Sequence, residues 1–324
     1  MKTAIVILNW NTKGYLEEFL PGLIASTEGM DAEVIVADSA STDGSLEMLY
    51  REYPSIRQIR LDKNYGFTGG YNRALAQVEA EYFVLINSDI EVPKDWLMPL
   101  VAWMDSHPKC GACGPKLLSW HDRSAFEYAG AAGGLIDRYG YPFCRGRVMS
   151  MVEKDEGQYN TPADVFWVSG ACLMVRSRLW KKLGGLDDRF FAHMEEIDLC
   201  WRLQLAGYKV TVVPQSFVYH IGGGTLPNDS PVKLRFNYRN KQTGKVTTGK
   251  LCYPSTKAPS AAQTAAKERF AKVAAAVRTI LADATEKAKL QAEFKAQHTY
   301  GSLFGFAMHK LNGNYDANGD LIGG

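Results

Sequence analysis

The chain has 324 residues, 46% of them hydrophobic, and a formal net charge of +2. Such a length holds one large α/β domain and something smaller, at about 150 residues per domain. No run of about 18 apolar residues exists, so no spanning helix is expected, and the near-neutral balance gives no reason to expect a nucleic-acid partner.

"TAIVIL" (3–8) is a continuous apolar run, as in a strand buried on both faces. With one Lys before it and Asn9 and Asn11 after it, the N-terminus reads as this first strand and not as a signal peptide. Residues 14–25 carry helical spacing, with Pro21 expected to kink or shorten the helix. "EVIVA" (33–37) reads as a second strand and "STDGSLEMLYREY" (41–53) as a capped helix. "IRQIRL" (56–61) follows as a third strand, then "GGYNRALAQVEA" (69–80) as a helix after a Gly-rich turn. "YFVLI" (82–86) is a fourth strand, and residues 95–107 are another helix. Four βα units in a row predict a parallel sheet with helices on both faces, and ligands of such sheets bind beyond the carboxyl ends of the strands. Asn9, Asp38, Asn64 and Asp89 each closely follow an apolar run, so they are expected along that edge.

Residues 108–175 are irregular. Cys110 and Cys113 form a CxxC that reads as two small residues of a buried strand, because no second ligand pair follows at zinc spacing. Without a secretory signal the compartment is expected to be reducing and the six Cys free. Residues 164–175 read as one long strand broken at Gly170, residues 195–207 as an amphipathic helix, and residues 208–220 as a strand ending in His220 before a "GGGT" loop.

The chain then changes character near 240. All seven Trp lie at or before Trp201. Residues 241–324 hold 12 Lys and Arg against 6 Asp and Glu, whereas residues 1–240 hold 25 against 29. Residues 261–296 contain 13 Ala in 36 positions, with Val273, Val277, Ile280 and Leu281 as one apolar stripe. "DANGDLIGG" resembles a calcium loop but lacks its closing Glu, so it reads as a polar terminus. The expected domains are 1–240 and a basic, Ala-rich, mainly helical module over 241–324.

Each residue that could carry chemistry also has a structural reading. Asp38 can accept the imide N–H of a uracil or thymine ring, or cap a turn. Gly66, Gly69 and Gly70 would let backbone approach a nucleotide at a helix N-terminus. Asp89 reads equally as a strand-end cap or a metal ligand, since Mg²⁺ needs only one or two protein carboxylates when a diphosphate supplies other oxygens. Glu195, Glu196 and Asp198 at a helix start suit the macrodipole or supply a general base. Glu195 and Asp198 share a face while Glu196 points elsewhere, so only one side of the set is expected to meet a pocket. His220 is a structural strand-end His or, if strands converge, a second metal ligand beside Asp89.

Together "VILNWN" (6–11), "VADSASTDGS" (36–45), "NYGFTGGYN" (64–72), "LINSDIEVPKDWL" (85–97), "VSGACLMVRSRLWKKLGGLDDRFF" (168–191), "EEIDLCWRLQLAGYKV" (195–210) and "VYHIGGGT" (218–225) resemble family 2 glycosyltransferases of the GT-A fold. The rhamnosyltransferase-like group is the nearest in pattern, over about residues 1–240. The resemblance implies a Rossmann-like, mostly parallel sheet with helices on both faces, followed by a small C-terminal helical segment. It implies that Trp10 and Asp38 hold a pyrimidine base, and that Asn64, Gly66 and Asn72 surround ribose and diphosphate. Ser88 and Gly170 join that nucleotide-sugar site. Asp89, the last acid of a DxD-type motif, and His220 are implied as ligands of Mg²⁺ or Mn²⁺. The second member of the acidic pair, usually Asp and here Glu196, is implied as the catalytic base, with Glu195 the other candidate.

The implied reaction is an inverting single displacement, assisted by metal. It moves a sugar such as rhamnose from a UDP- or dTDP-sugar to a hydroxyl of a glycan or lipid-linked acceptor. The implied location is cytoplasmic, at the inner face of the membrane. The +6 balance of the tail would suit peripheral contact with an anionic membrane surface; a solvated helix pair is the plainer reading. A nicotinamide-dependent oxidoreductase would need a Gly-rich fingerprint after the first strand, and "LNWNTKGY" has one Gly. A sugar nucleotidyltransferase would need a basic Gly-rich first loop, which is absent. A catalytically silent nucleotide-sugar or glycan-binding protein on the same fold is the remaining alternative.

Overall fold

The computed structural model describes residues 1–148, 151–190, 193–222, 235–239, 246–250, 272–273, 275–295 and 303–312. The chain divides into two units, Met1–Leu251 and Cys252–Gly324. The first unit begins with the expected alternation: β1 (Thr3–Asn9), α1 (Lys13–Ala25), β2 (Ala32–Asp38), α2 (Ser45–Glu52), β3 (Arg57–Arg60), α3 (Gly66–Leu75) and β4 (Tyr82–Ile86). Next come β5 (Ile90–Glu91), α4 (Leu97–Ser106) and β6 (Cys110–Ser119). A small antiparallel sheet follows, made of β7 (Gly134–Ile136), β8 (Pro142–Cys144), β9 (Arg147–Val148) and β10 (Met151–Val152). The chain re-enters the main sheet through β11 (Ala163–Val165), β12 (Cys172–Arg176), α5 (Ser177–Leu183), α6 (Glu195–Leu205) and β13 (Lys209–His220). β14 (Arg235–Arg239) and β15 (Val246–Lys250) form a separate ribbon.

The main sheet runs β11-β13-β6-β12-β4-β1-β2-β3, with β5 paired to β13. β1, β2, β3 and β4 are parallel, as are β6 and β13. β12 is antiparallel to both β4 and β6, so it reverses direction at the centre of the sheet. The continuous apolar run of β1 has a direct cause. Ala4 and Val6 face one core with Tyr71 and Leu75 of α3, while Ile5 and Ile7 face another with Leu16 and Leu20 of α1. A strand covered on both faces has no polar side to alternate with.

Three expectations change. Helix α1 runs through Pro21 without stopping. Pro removes one helical N–H, but Leu16, Leu20 and Leu23 on either side of it are buried against the sheet and hold the helix in place. Residues 164–175 are not one strand. β11 pairs β13, β12 pairs β4 and β6, and the intervening 166–171 cross between them. Helix α3 begins at Gly66, three residues before the expected start. Cys110 and Cys113 are buried free thiols in β6.

In the second unit, helical residues 275–282, α7 (Ala284–Lys295) and α8 (Leu303–Asn312) enclose a small core of Val277, Leu290 and Ala307. Ile280 and Leu281 pack against it, so most of the expected stripe is used. The "GGGT" loop from Gly223 onward, residues 261–271 and the "DANGDLIGG" terminus lie outside the described residues. Among the described residues no helix is long and apolar enough to cross a membrane.

Candidate active site

The carboxyl ends of the parallel strands open into one pocket. Leu8 and Trp10 come from the end of β1, Ser39 from the end of β2, and Asn64, Gly66 and Phe67 from the start of α3. Asn87, Ser88 and Asp89 follow β4; Ser169, Gly170 and Ala171 precede β12; His220 ends β13. Glu195 and Glu196 enter from the N-terminus of α6. The structure therefore brings Trp10, Asn64, Gly66, Ser88, Asp89, Gly170, Glu195, Glu196 and His220 to one cavity. Trp10 is 44% exposed and offers a flat aromatic face at the mouth.

Asp38 does not reach the lining. It is buried one residue behind Ser39, accepting hydrogen bonds from Asn9 Nδ2 (2.6 Å) and the Ser41 N–H (2.9 Å). Ser39 presents a buried Oγ that has no hydrogen-bond partner. Asn72 lies elsewhere. Its Nδ2 donates to Leu186 O (2.7 Å) and Asp188 Oδ1 (2.8 Å), and its Oδ1 accepts from the Leu186 N–H (2.9 Å). Six residues along a helix turn it about 240° away from Gly66, so Asn72 staples the 183–190 loop instead of facing the cavity. Asn64 Oδ1 accepts from the Gly66 N–H (2.8 Å) and tightens the turn that aims the α3 N-terminus at the pocket.

The acidic pair also departs from helical bookkeeping. Asp198 turns away and pairs with Arg202 (2.7 Å), whose guanidinium also holds the Leu183 and Gly185 carbonyls. Both glutamates face the cavity because they occupy the first turn of α6, entered through left-handed backbone at His193 (φ 70°) and Met194 (φ 72°). Neither Oε2 has a hydrogen-bond partner. Burial pushes the Glu196 carboxyl up to about 7, opposed by the backbone N–H groups of Glu196 and Ile197. Burial and then the Glu196 charge push Glu195 well above the usual carboxylate range. Burial thus makes this pair hold a proton to a higher pH than solvated carboxyls would.

Elsewhere in the lining, β5 and β13 pair through Ile90 and His220, which brings two distant strand ends together. His220 Nε2 lies 3.2 Å from Asp89 Oδ1, and His220 Nδ1 lies 3.5 Å from Glu127 Oε1. All three side chains are buried. Burial alone would lower the His220 pKa, but Asp89 and Glu127 outweigh it and raise it to about 10. Glu127 has no motif around it in the sequence, and Ser39 is inconspicuous inside "VADSAS". Only the fold reveals them.

Among the described residues the lining holds four carboxylates (Asp89, Glu127, Glu195, Glu196) and neither Lys nor Arg. His220 is a cationic group this lining offers a polyanion, and a bound divalent ion would add to it. No three His, Cys, Asp or Glu among the described residues converge to hold a metal alone. Two ligands do fit. Adjacent corners of an octahedron with ~2.1 Å bonds lie about 3 Å apart, and Asp89 Oδ1, buried, is 3.2 Å from His220 Nε2.

A mostly parallel sheet with an acidic cleft at its strand ends matches the sugar-transfer fold that the sequence resembles, and comparison with known proteins agrees. The profile of glycosyl transferase family 2 matches residues 4–183. The chain belongs to that family. N-acetylglucosaminyl-diphospho-decaprenol L-rhamnosyltransferase of Mycobacterium tuberculosis (strain CDC 1551 / Oshkosh) is 29% identical over 252 residues, covering 73% of this chain and 81% of that protein. Rhamnosyltransferase WbbL of Escherichia coli (strain K12) is 25% identical over 225 residues, covering 67% and 82%. The crystal structure of GalNAc-T7 with UDP, GalNAc and Mn²⁺ matches with a TM-score of 0.55 at 16% identity, over 68% of this chain and 44% of that one. This likeness establishes the GT-A fold.

Proposed function

We propose that the protein is an inverting, metal-dependent glycosyltransferase that moves a sugar from a UDP- or dTDP-sugar to an acceptor hydroxyl. The observation that carries this is the cavity lined by four carboxyl side chains, three of which, Asp89, Glu195 and Glu196, have a buried oxygen with no hydrogen-bond partner. Rhamnose as the sugar, and a lipid-linked glycan as the acceptor, are supported by the relatives named as a rhamnosyltransferase and as a decaprenol-linked L-rhamnosyltransferase. Residues 1–240 would form the catalytic domain and 241–324 an accessory helical module. A lipid-linked acceptor would put the reaction at the cytoplasmic face of a membrane.

Trp10 would stack on the base. Ser39 Oγ, buried without a hydrogen-bond partner in front of Asp38, would meet the edge of the base. Asn64 and Gly66 would hold ribose and diphosphate at the α3 N-terminus. Asp89 and His220 would hold Mg²⁺ or Mn²⁺, which when bound neutralises the diphosphate and stabilises charge on the departing nucleotide. Glu196 would take the proton from the acceptor hydroxyl as it attacks the anomeric carbon from the face opposite the leaving group. The six-residue crossing 166–171 places Gly170 between Phe67 and Glu196, where a Cβ would sit 3.5 Å from each, leaving the sugar space between base and donor.

The test is nucleoside diphosphate release from UDP- and dTDP-sugars with Mn²⁺, Mg²⁺ or EDTA, followed by NMR of the product's anomeric proton. Release that requires the ion, with inverted configuration, supports the reading. A nucleotide-sugar that binds but is never turned over, with any ion or acceptor, would leave a silent binding protein.

A further inference from the structure

The side chain that faces His220 from behind has no part in the proposed chemistry so far. Glu127 is 5% exposed and sits on the segment that crosses from β6 into the small antiparallel sheet. Its backbone is fixed, because the Glu127 N–H donates to Leu117 O (2.9 Å). One carboxylate oxygen is fixed too: Glu127 Oε2 accepts from the Ala129 N–H (2.7 Å). The other, Oε1, lies 3.5 Å from His220 Nδ1, an ion-pair contact in which Nδ1 has no formed hydrogen bond. His220 is equally constrained, since its carbonyl accepts from the Trp120 N–H (3.0 Å) and the next residue's N–H donates to Asp89 O (3.2 Å). Gly222 completes the fit. It has φ +71°, and a Cβ there would come within 3.0 Å of Glu127 Oε1.

From this geometry we infer that Glu127 is a positioning residue: when a cation sits beside Asp89, Glu127 takes the Nδ1–H of His220 and leaves the Nε2 lone pair facing Asp89. The inference rests on Asp89 and His220 being the metal side of the site. An imidazole can offer a lone pair at one nitrogen only if the proton sits on the other, and the group opposite decides which. Asp89 and Glu127 occupy the two ends of one ring, and only one of those ends opens beside the unpartnered Asp89 oxygen. The carboxylate behind the ring therefore selects the tautomer. A backbone carbonyl could do the same, but Glu127 also carries a negative charge that strengthens the ring's donation.

Glu127→Gln tests this with almost no change of shape. Both carboxylate oxygens must accept, one from Ala129 and one from His220, and a Gln amide has only one acceptor oxygen. If that oxygen stays with Ala129, its NH₂ faces His220 Nδ1 and drives the ring proton onto Nε2. The measurement is the affinity of the full chain for Mn²⁺ in the presence of UDP, by electron paramagnetic resonance of free Mn²⁺, for wild type, Glu127→Gln, Glu127→Leu and His220→Ala. The tautomer is read in parallel by ¹⁵N NMR of the histidine rings with Mg²⁺ and UDP. The expected result is at least about a tenfold loss of Mn²⁺ affinity in Glu127→Gln, a loss as large or larger in Glu127→Leu, and departure of His220 from the Nδ1–H tautomer. Glu127→Gln within twofold of wild type, or weaker binding with the His220 tautomer unchanged, overturns the proposal. Wild type and His220→Ala keep the two readings apart. If His220→Ala loses Mn²⁺ while Glu127→Gln does not, the metal site stands and this inference alone falls. If wild type binds no Mn²⁺, both fall.

Discussion

Raising the pH from 5 to 8 should cost the wild-type protein stability that a Glu196→Gln protein keeps. Burial raises the Glu196 carboxyl from 4.5 to about 7. Between those values the folded protein binds more protons than the unfolded chain, so the contribution is fully present below about pH 4.5 and is lost as pH rises through about 7. At about 1.4 kcal/mol per pH unit, the loss between pH 5 and 8 is roughly 2–3 kcal/mol. Gln is neutral at both pH values, so the variant should gain that amount on wild type at pH 8 relative to pH 5. Guanidinium denaturation in EDTA, followed by tryptophan fluorescence, measures it. All seven Trp lie in the first unit, so the signal reports that unit alone. The same variant should lose at least about 10²-fold in turnover at every pH. The wild-type kcat/KM should fall on the acid side with an apparent pKa near 7, a value belonging to the Glu195–Glu196 pair jointly. An equal stability difference at pH 5 and pH 8 would show the Glu196 carboxylate to be well solvated and would refute this reasoning.

Gly70→Ala should destabilise by about 1–3 kcal/mol through overpacking, because its Cβ would lie 2.7 Å from Leu8 Cδ2 where α3 presses on β1; the denaturation midpoint reports it. Arg176→Leu should cost roughly 3 kcal/mol, since its guanidinium holds the carbonyls of Met104 (2.6 Å), Cys110 (2.8 Å) and His107 (3.1 Å). Asn72→Ala should speed proteolysis within the 183–190 loop while UDP affinity stays near wild type, whereas Asn64→Ala should weaken UDP binding; equal effects on UDP affinity would return Asn72 to the cavity. Asp89→Ala should abolish any Mn²⁺-induced rise in melting temperature with UDP, and an undiminished rise would remove Asp89 from the metal side.

The βα alternation was legible because its signal is local. β1, β2 and β4 are buried on both faces, so their apolar runs need no partner to be recognised. Strand ends in such a sheet share an edge by topology, which is why Asn9, Asp38, Asn64 and Asp89 could be grouped without knowing a distance, although only Asn64 and Asp89 line the pocket. What defeated local reading was competition from remote partners. Residues 164–175 look like one strand, yet β11 finds β13 and β12 finds β4 and β6, and neither pairing is written in the segment itself.

By itself, the sequence determined the βα order of residues 1–107, the strand-end edge where the pocket opens and the acids at α6, all through residue periods and motif order. Only the tertiary structure decided which side chains share the cavity. Asn72 is drawn off by a partner 114 residues away, Asp38 is consumed behind Ser39, and both glutamates face inward because of left-handed backbone just before them. Asp89 and His220 meet because β5 pairs the end of β13, and Glu127 joins them from a segment with no motif. Contacts of that kind are set by packing across the whole sheet, and a residue's sequence neighbours carry no record of what will be packed opposite it.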